Sequence, residues 1–131
     1  MQIYGKDFDR WNEAKKIIHT NENLPLFSER EVWWCVLGLN VGSEEDGKGR
    51  QYLRPVLIIR KFNKNIFYGI PITSNKKEGI FYAPIDSGDV HGSVILSQMR
   101  LIDARRLSHI LGKITGKESA VIKQKLKALF P

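Results

Sequence analysis

The chain has 131 residues, of which 42% are hydrophobic and 27% charged, the size and balance of one globular domain. Lysine and arginine outnumber aspartate and glutamate to give a formal charge of +7, so phosphate polyanions or acidic proteins are the favoured partners. A single cysteine excludes an internal disulfide framework and a cysteine-based zinc centre, and no apolar run approaches the ~20 residues of a membrane span. With no signal-type segment at the start, a cytoplasmic protein without membrane attachment is expected.

In chain order, "KDFDRWNEAKKIIHT" has Phe8, Trp11 and Ile18 near helical spacing, acids early and lysines late, which predicts an amphipathic helix over 7–19. Residues 1–28 read as a helical extension packed on a domain formed by 29–131. "REVWWCVLGLN" is rich in aromatic and β-branched residues on both faces and predicts a well-covered strand. Glycines and acids make "VGSEEDGKGRQ" a loop. "RPVLIIRKF" and "NIFYGIPITS" predict two strands joined in a tight hairpin at Asn63-Lys64. "GIFYAPI" and "GSVILSQMRLI" continue a series of short strands, "DARRLSHI" suggests a helical turn, and "HILGKI" a further strand. At the end, Thr115 and Glu118 stand at capping-box spacing ahead of an Ile122, Leu126, Leu129 stripe, predicting a helix over 117–130. Short strands with close turns imply a mainly β fold, a small barrel or sandwich with two helices.

Arg54 is out of place in this pattern, a permanent cation at the mouth of a strand that is apolar on both faces. Counting back from the predicted hairpin turn sets it opposite Thr73, or opposite Ser74 after a one-residue slip. Pro55 biases it toward extended backbone. A planar guanidinium beside hydroxyls suits a phosphate, with Ser74 as an adjustable donor. The competing reading is a salt bridge from Arg54 to Glu44, Glu45 or Asp46 of the preceding loop.

Taken together, "EVWWCVLGLNVGSEEDGKGRQYLRPVLII", "IPITS" and "VILSQMRLID", followed by a lysine-rich terminal helix, resemble the MazF/PemK family of toxins from type II toxin–antitoxin systems over about residues 29–130. The resemblance implies a small SH3-like β-barrel, shared with CcdB and usually a homodimer. It also implies metal-independent endoribonuclease activity on single-stranded RNA with no cofactor, inhibited by a cognate antitoxin that lays an acidic segment in the RNA groove. It maps the family's catalytic arginine onto Arg54, its threonine onto Thr73 with Ser74 beside it, and its loop acid onto Glu44. Ser97, Gln98 and Arg100 are expected to contact RNA or its phosphates, with pairing to Asp103 the alternative for Arg100. On this reading Arg54 stabilises the phosphorane, Thr73 and Ser74 hold a phosphate oxygen, and Glu44 is the first candidate base, with His91 behind it.

The sequence departs from the family in three places. An Arg-x-Asp pair used by some members falls on Ile95 and Ser97, the loop ahead of Arg54 carries an inserted "GRQYL", and the N-terminal helix is an addition. Two other functions fit the same barrel: a CcdB-like gyrase poison, which needs no Arg–Thr pair, and a noncatalytic module binding nucleic acid or an acidic peptide.

Overall fold

Four consecutive apolar residues, Val56, Leu57, Ile58 and Ile59, form the centre of the computed structural model, which describes residues 7–19, 23–38 and 52–130. They lie in β2 (Leu53–Lys61) between β1 (Glu31–Val36) and β3 (Ile66–Thr73), and they feed two cores. Because side chains alternate along a strand, Val56 and Ile58 enter one core with Phe27, Trp33, Phe67 and Ile102. Leu57 and Ile59 enter the other with Ile70, Val94 and Ile122. Burying each of these side chains contributes about 1.5–3 kcal/mol, which is why the strand tolerates so little polarity.

The remaining strands are β4 (Tyr82–Ser87), β5 (Val90–Ile95), β6 (Arg100–Asp103) and β7 (Leu107–Lys113), with helices α1 (Phe8–His19) and α2 (Gly116–Ala128). All ladders are antiparallel, in the order β4-β5-β3-β2-β1-β7, with β6 also paired to β3. The mainly β class and both helices agree with expectation. As a barrel the sheet is left open, since no ladder among the described residues joins β4 to β7. β7 instead approaches β5 by packing at Gly112, where an added Cβ would come within 2.8 Å of Val90 Cγ2.

The expected single strand over 92–102 is broken by a 3₁₀ turn at Leu96–Gln98, so β5 and β6 pair with different stretches of β3. A second 3₁₀ turn, Ala104–Arg106, leads into β7. Thr115 caps α2: its side chain accepts from Glu118 N–H at 3.1 Å while the Glu118 carboxylate accepts from Thr115 N–H at 3.1 Å. Glu118 also accepts from Asp86 N–H at 2.9 Å and from the Ser87 hydroxyl, tying α2 to β4.

The β2–β3 hairpin differs from the tight turn expected. Asn63, Lys64 and Asn65 form the loop, closed by Phe62 N–H donating to Ile66 C=O at 3.2 Å. The Asn63 carboxamide oxygen accepts from Asn65 N–H and Ile66 N–H, at 2.7 and 3.1 Å. Near the tip Lys61 faces Phe67 and Arg60 faces Tyr68; a bulge at Ile59 then shifts the register to Ile58↔Gly69 and on to Val56↔Pro71. The bulge restores the offset that a two-residue turn would have given, so Arg54 still arrives beside the end of β3.

Candidate active site

β2 begins from a constrained backbone. Tyr52 has φ of 55°, in the left-handed region, which costs a non-glycine residue about 1–2 kcal/mol. Its carbonyl accepts from Leu37 N–H at 3.1 Å, and its ring meets Trp11 of α1 edge-on at 5.2 Å. Gly38, at φ 74°, lies so close to Trp11 that a Cβ would sit 2.1 Å from the indole. The buried indole of α1 therefore grips the chain at Gly38 and at Tyr52, on either side of residues 39–51. Two residues after Tyr52 comes Arg54.

The β2–β3 ladder ends at Val56↔Pro71, next to Pro55, which has no N–H to continue it. β3 then turns to β5, pairing Ile72↔Val94 and Thr73↔Ser93. The expected direct pairing of Arg54 with Thr73 is thus replaced by a split between strands. Arg54, only 8% exposed, reaches across it and donates through Nη1 to Ile72 C=O at 3.3 Å. The split opens into a cleft of about 500 Å³ lined by Trp34, Leu53, Arg54, Pro55, Ile72, Ser74 and His91.

Gly92 permits the corner. At φ 134°, it sits where a Cβ would be 2.0 Å from the Thr73 carbonyl oxygen and 3.2 Å from Ser74 Cα. The buried Ser93 hydroxyl accepts from Lys77 N–H at 2.9 Å and donates to Lys77 C=O at 3.3 Å, fastening the segment after Ser74 to β5. Thr73 is half-buried, and its hydroxyl oxygen accepts from Asn75 N–H at 3.4 Å.

His91 lies on β5 opposite Asp86, and its Nδ1 is hydrogen-bonded to the Asp86 carboxylate. That bond orients the ring and leaves Nε2 for a second partner. Trp34 lines the cleft and stacks on His109 at 6.1 Å and 27°, a flat apolar wall of the kind on which a base stacks. Its neighbour Trp33 is a core residue, with its indole N–H bonded to Glu31 at 3.1 Å.

The structure brings Arg54, Ser74 and His91 to one cleft, with Thr73 next to Ser74 at its edge. Ser97, exposed, and Gln98, half-buried, belong to the 3₁₀ turn after β5 and do not line it. Arg100 does not line it either: it pairs with Gly69 on β6, where its charge acts on Cys35 and Arg106. Asp103, its alternative partner, instead accepts two hydrogen bonds from the Arg105 side chain at 2.8 and 2.9 Å. Glu44 lies outside the described residues.

Sequence reasoning leaves base stacking by Trp33 or Trp34, and proton transfer by His91, as minor readings. The signal for Trp34 was its alternation with core Trp33; that for His91 was its position beside Gly92, which carries β5 past Thr73. Cys35 is no candidate nucleophile, because burial pushes its thiol up to about 12 despite the nearby Arg106 and Arg100. Among the described residues no group of three or more histidine, cysteine, aspartate or glutamate side chains is arranged to hold a metal ion, and no helix is long and apolar enough to cross a membrane.

The same fold occurs in known structures. MazF (Form-I) from Deinococcus radiodurans superposes with a TM-score of 0.64 at 21% identity, over 82% of this chain and 97% of that one. An endoribonuclease from Mycobacterial species gives 0.60 at 17%, over 81% and 90%. An endoribonuclease in complex with its cognate antitoxin, also from Mycobacterial species, gives 0.61 at 17%, over 81% and 98%. No curated protein sequence matches the chain. The family model described as PemK-like, MazF-like toxin of type II toxin–antitoxin system matches residues 28–130, nearly the whole chain beyond α1. The chain therefore belongs to the PemK-like, MazF-like family of toxins of type II toxin–antitoxin systems.

Proposed function

We propose that this toxin is an endoribonuclease that cuts single-stranded RNA through its own 2′-hydroxyl, without a metal, at the cleft around Arg54. One observation carries the reading: a buried guanidinium at the split between β2 and β3 shares its cleft with a serine hydroxyl and a carboxylate-oriented imidazole. That combination meets the needs of RNA transesterification. A base takes the 2′-hydroxyl proton as the oxygen attacks phosphorus, and the 5′-oxygen leaves with a proton, giving a 2′,3′-cyclic phosphate and a 5′-hydroxyl.

In this scheme the fixed positive charge of the Arg54 guanidinium stabilises the phosphorane oxygens. Ser74, with Thr73 next to it, holds a phosphate oxygen. His91, kept in place by Asp86, transfers protons, with Glu44 the other candidate, and Trp34 stacks on a base. Ser97, Gln98 and Arg100 would contact RNA outside this cleft. We read residues 1–28 as an extension and 29–131 as the toxin domain, a division supported by the family match beginning at residue 28. The same reading makes the protein a cytoplasmic homodimer held inactive by an antitoxin whose acidic segment occupies the RNA groove, as the +7 charge favours.

The test is incubation of the purified chain with single-stranded RNA in a chelator, with the ends mapped. Cyclic-phosphate ends recurring at short sequences are expected. Intact RNA with a folded protein would instead favour the gyrase-poison or binding-module function.

A further inference from the structure

Between α1 and the 3₁₀ turn Ala104–Arg106 lies a second cleft, about 560 Å³ in volume, that the proposed chemistry does not use. Its described walls carry four permanent cations, Lys15, Lys16, Arg105 and Arg106, against one carboxylate, Asp103. That carboxylate is spent within the wall. Arg105 grips both its oxygens and also donates to His19 C=O at 2.9 Å, and this pairing with Arg105 holds the Asp103 carboxyl below its usual range.

Two of the other cations share one aromatic ring. Arg106 lies over the Trp11 ring at 5.7 Å and Lys15 over the same ring at 5.9 Å. Burial, and then the charge of Arg100, make the Arg106 cation harder to keep. Lys16 meets Glu13 only in an exposed pair, 65% and 72% accessible. Positive charge held this way in a concave site attracts a polyanion.

We infer that this cleft is a second binding site for the phosphate backbone of RNA, one that extends the footprint of a strand held at Arg54; the inference rests on the nuclease reading above. Location supports it. Arg106 Nη1 donates to Val36 C=O at 3.1 Å, Val36 pairs with Leu53, and Leu53 precedes Arg54, so the two clefts flank the same end of the β1–β2 ladder. Side-chain type supports it too. The Arg105 fork, which would suit a peptide carboxylate, is already filled by Asp103, leaving lysine ammonium groups that follow phosphates as point charges. The site depends on α1, which precedes the residues matched by the family model.

The experiment is binding of a long 2′-O-methyl RNA, which the 2′-hydroxyl route cannot cut, measured by fluorescence anisotropy over a range of salt. The full-length chain is compared with Lys15→Gln/Lys16→Gln, with the charge-keeping Lys15→Arg/Lys16→Arg, and with Lys123→Gln/Lys127→Gln at exposed positions of α2. Loss of two phosphate contacts predicts a salt slope shallower by about 1.4, from ~0.7 per phosphate on a single strand, and affinity about tenfold lower in the first variant. The arginine variant and the α2 variant should stay near the unaltered chain. Equal losses from α1 and α2, or unchanged RNA binding with lost binding of an acidic peptide, would overturn the inference alone. No binding by the unaltered chain would overturn it together with the nuclease reading.

Discussion

Arg54 combines two things that ordinarily oppose each other, a permanent charge and 8% exposure, and one of its nitrogens is held on the Ile72 carbonyl. Lysine in its place keeps the charge but not the fork, so Arg54→Lys should lower cleavage by about 10²-fold at unchanged thermal stability. His91→Ala should cost about 10²–10⁴-fold if the imidazole transfers the proton, with Asp86→Asn costing less because it only loosens the ring. A folded, fully active His91→Ala variant alongside a dead Glu44→Gln would move that role to the loop. At Gly92 the constraint is steric. Alanine there meets the Thr73 carbonyl at 2.0 Å and an unfavourable φ, so Gly92→Ala should lower stability by at least about 1–3 kcal/mol, read from denaturant melts, and cleavage should fall with it.

The two helices hold to the sheet by different means, and different measurements reveal each. α1 is fastened by one fully packed side chain, so Trp11→Ala should release the helix rather than unfold the protein. Amide exchange should then rise across residues 8–19 while β2 and β3 stay protected. α2 is fastened by its cap. Partial burial acts to raise the Glu118 carboxyl, but hydrogen bonds from Ser87, Asp86 and Thr115 outweigh it and hold it below its ordinary value of 4.5. A depressed folded pKa contributes stability that is complete above the unfolded value and is lost as pH falls through the folded one. Stability should therefore decline as pH drops below about 4.5, and Glu118→Gln should flatten that decline. Thr115→Ala, which removes the other half of the cap, should cost about 1 kcal/mol at neutral pH.

At the scale of the whole molecule, the sequence makes legible what depends on neighbours along the chain. The apolar run Val56–Ile59, the Thr115–Glu118 cap and the placing of Pro55 after Arg54 all declare themselves locally, and each is found as read. What could not be read depends on where strands part. β3 leaves β2 for β5 where Pro55 withholds a donor and Gly92 admits the approach, and no period in the sequence encodes that exchange of partners. The same blind spot left Trp34 and His91 as minor readings, because they come from strands on opposite sides of the split. The hairpin offset was anticipated for the wrong reason, since a three-residue loop and the bulge at Ile59 compensate each other.

The central claim is that the cleft at Arg54 cuts RNA, and the most direct measurement compares unaltered chain with Arg54→Ala on single-stranded RNA in chelator, folding monitored in parallel. The account predicts cyclic-phosphate products from the first and a loss of at least about 10²-fold from the second, with both equally folded. Equal cleavage by the two proteins would contradict it.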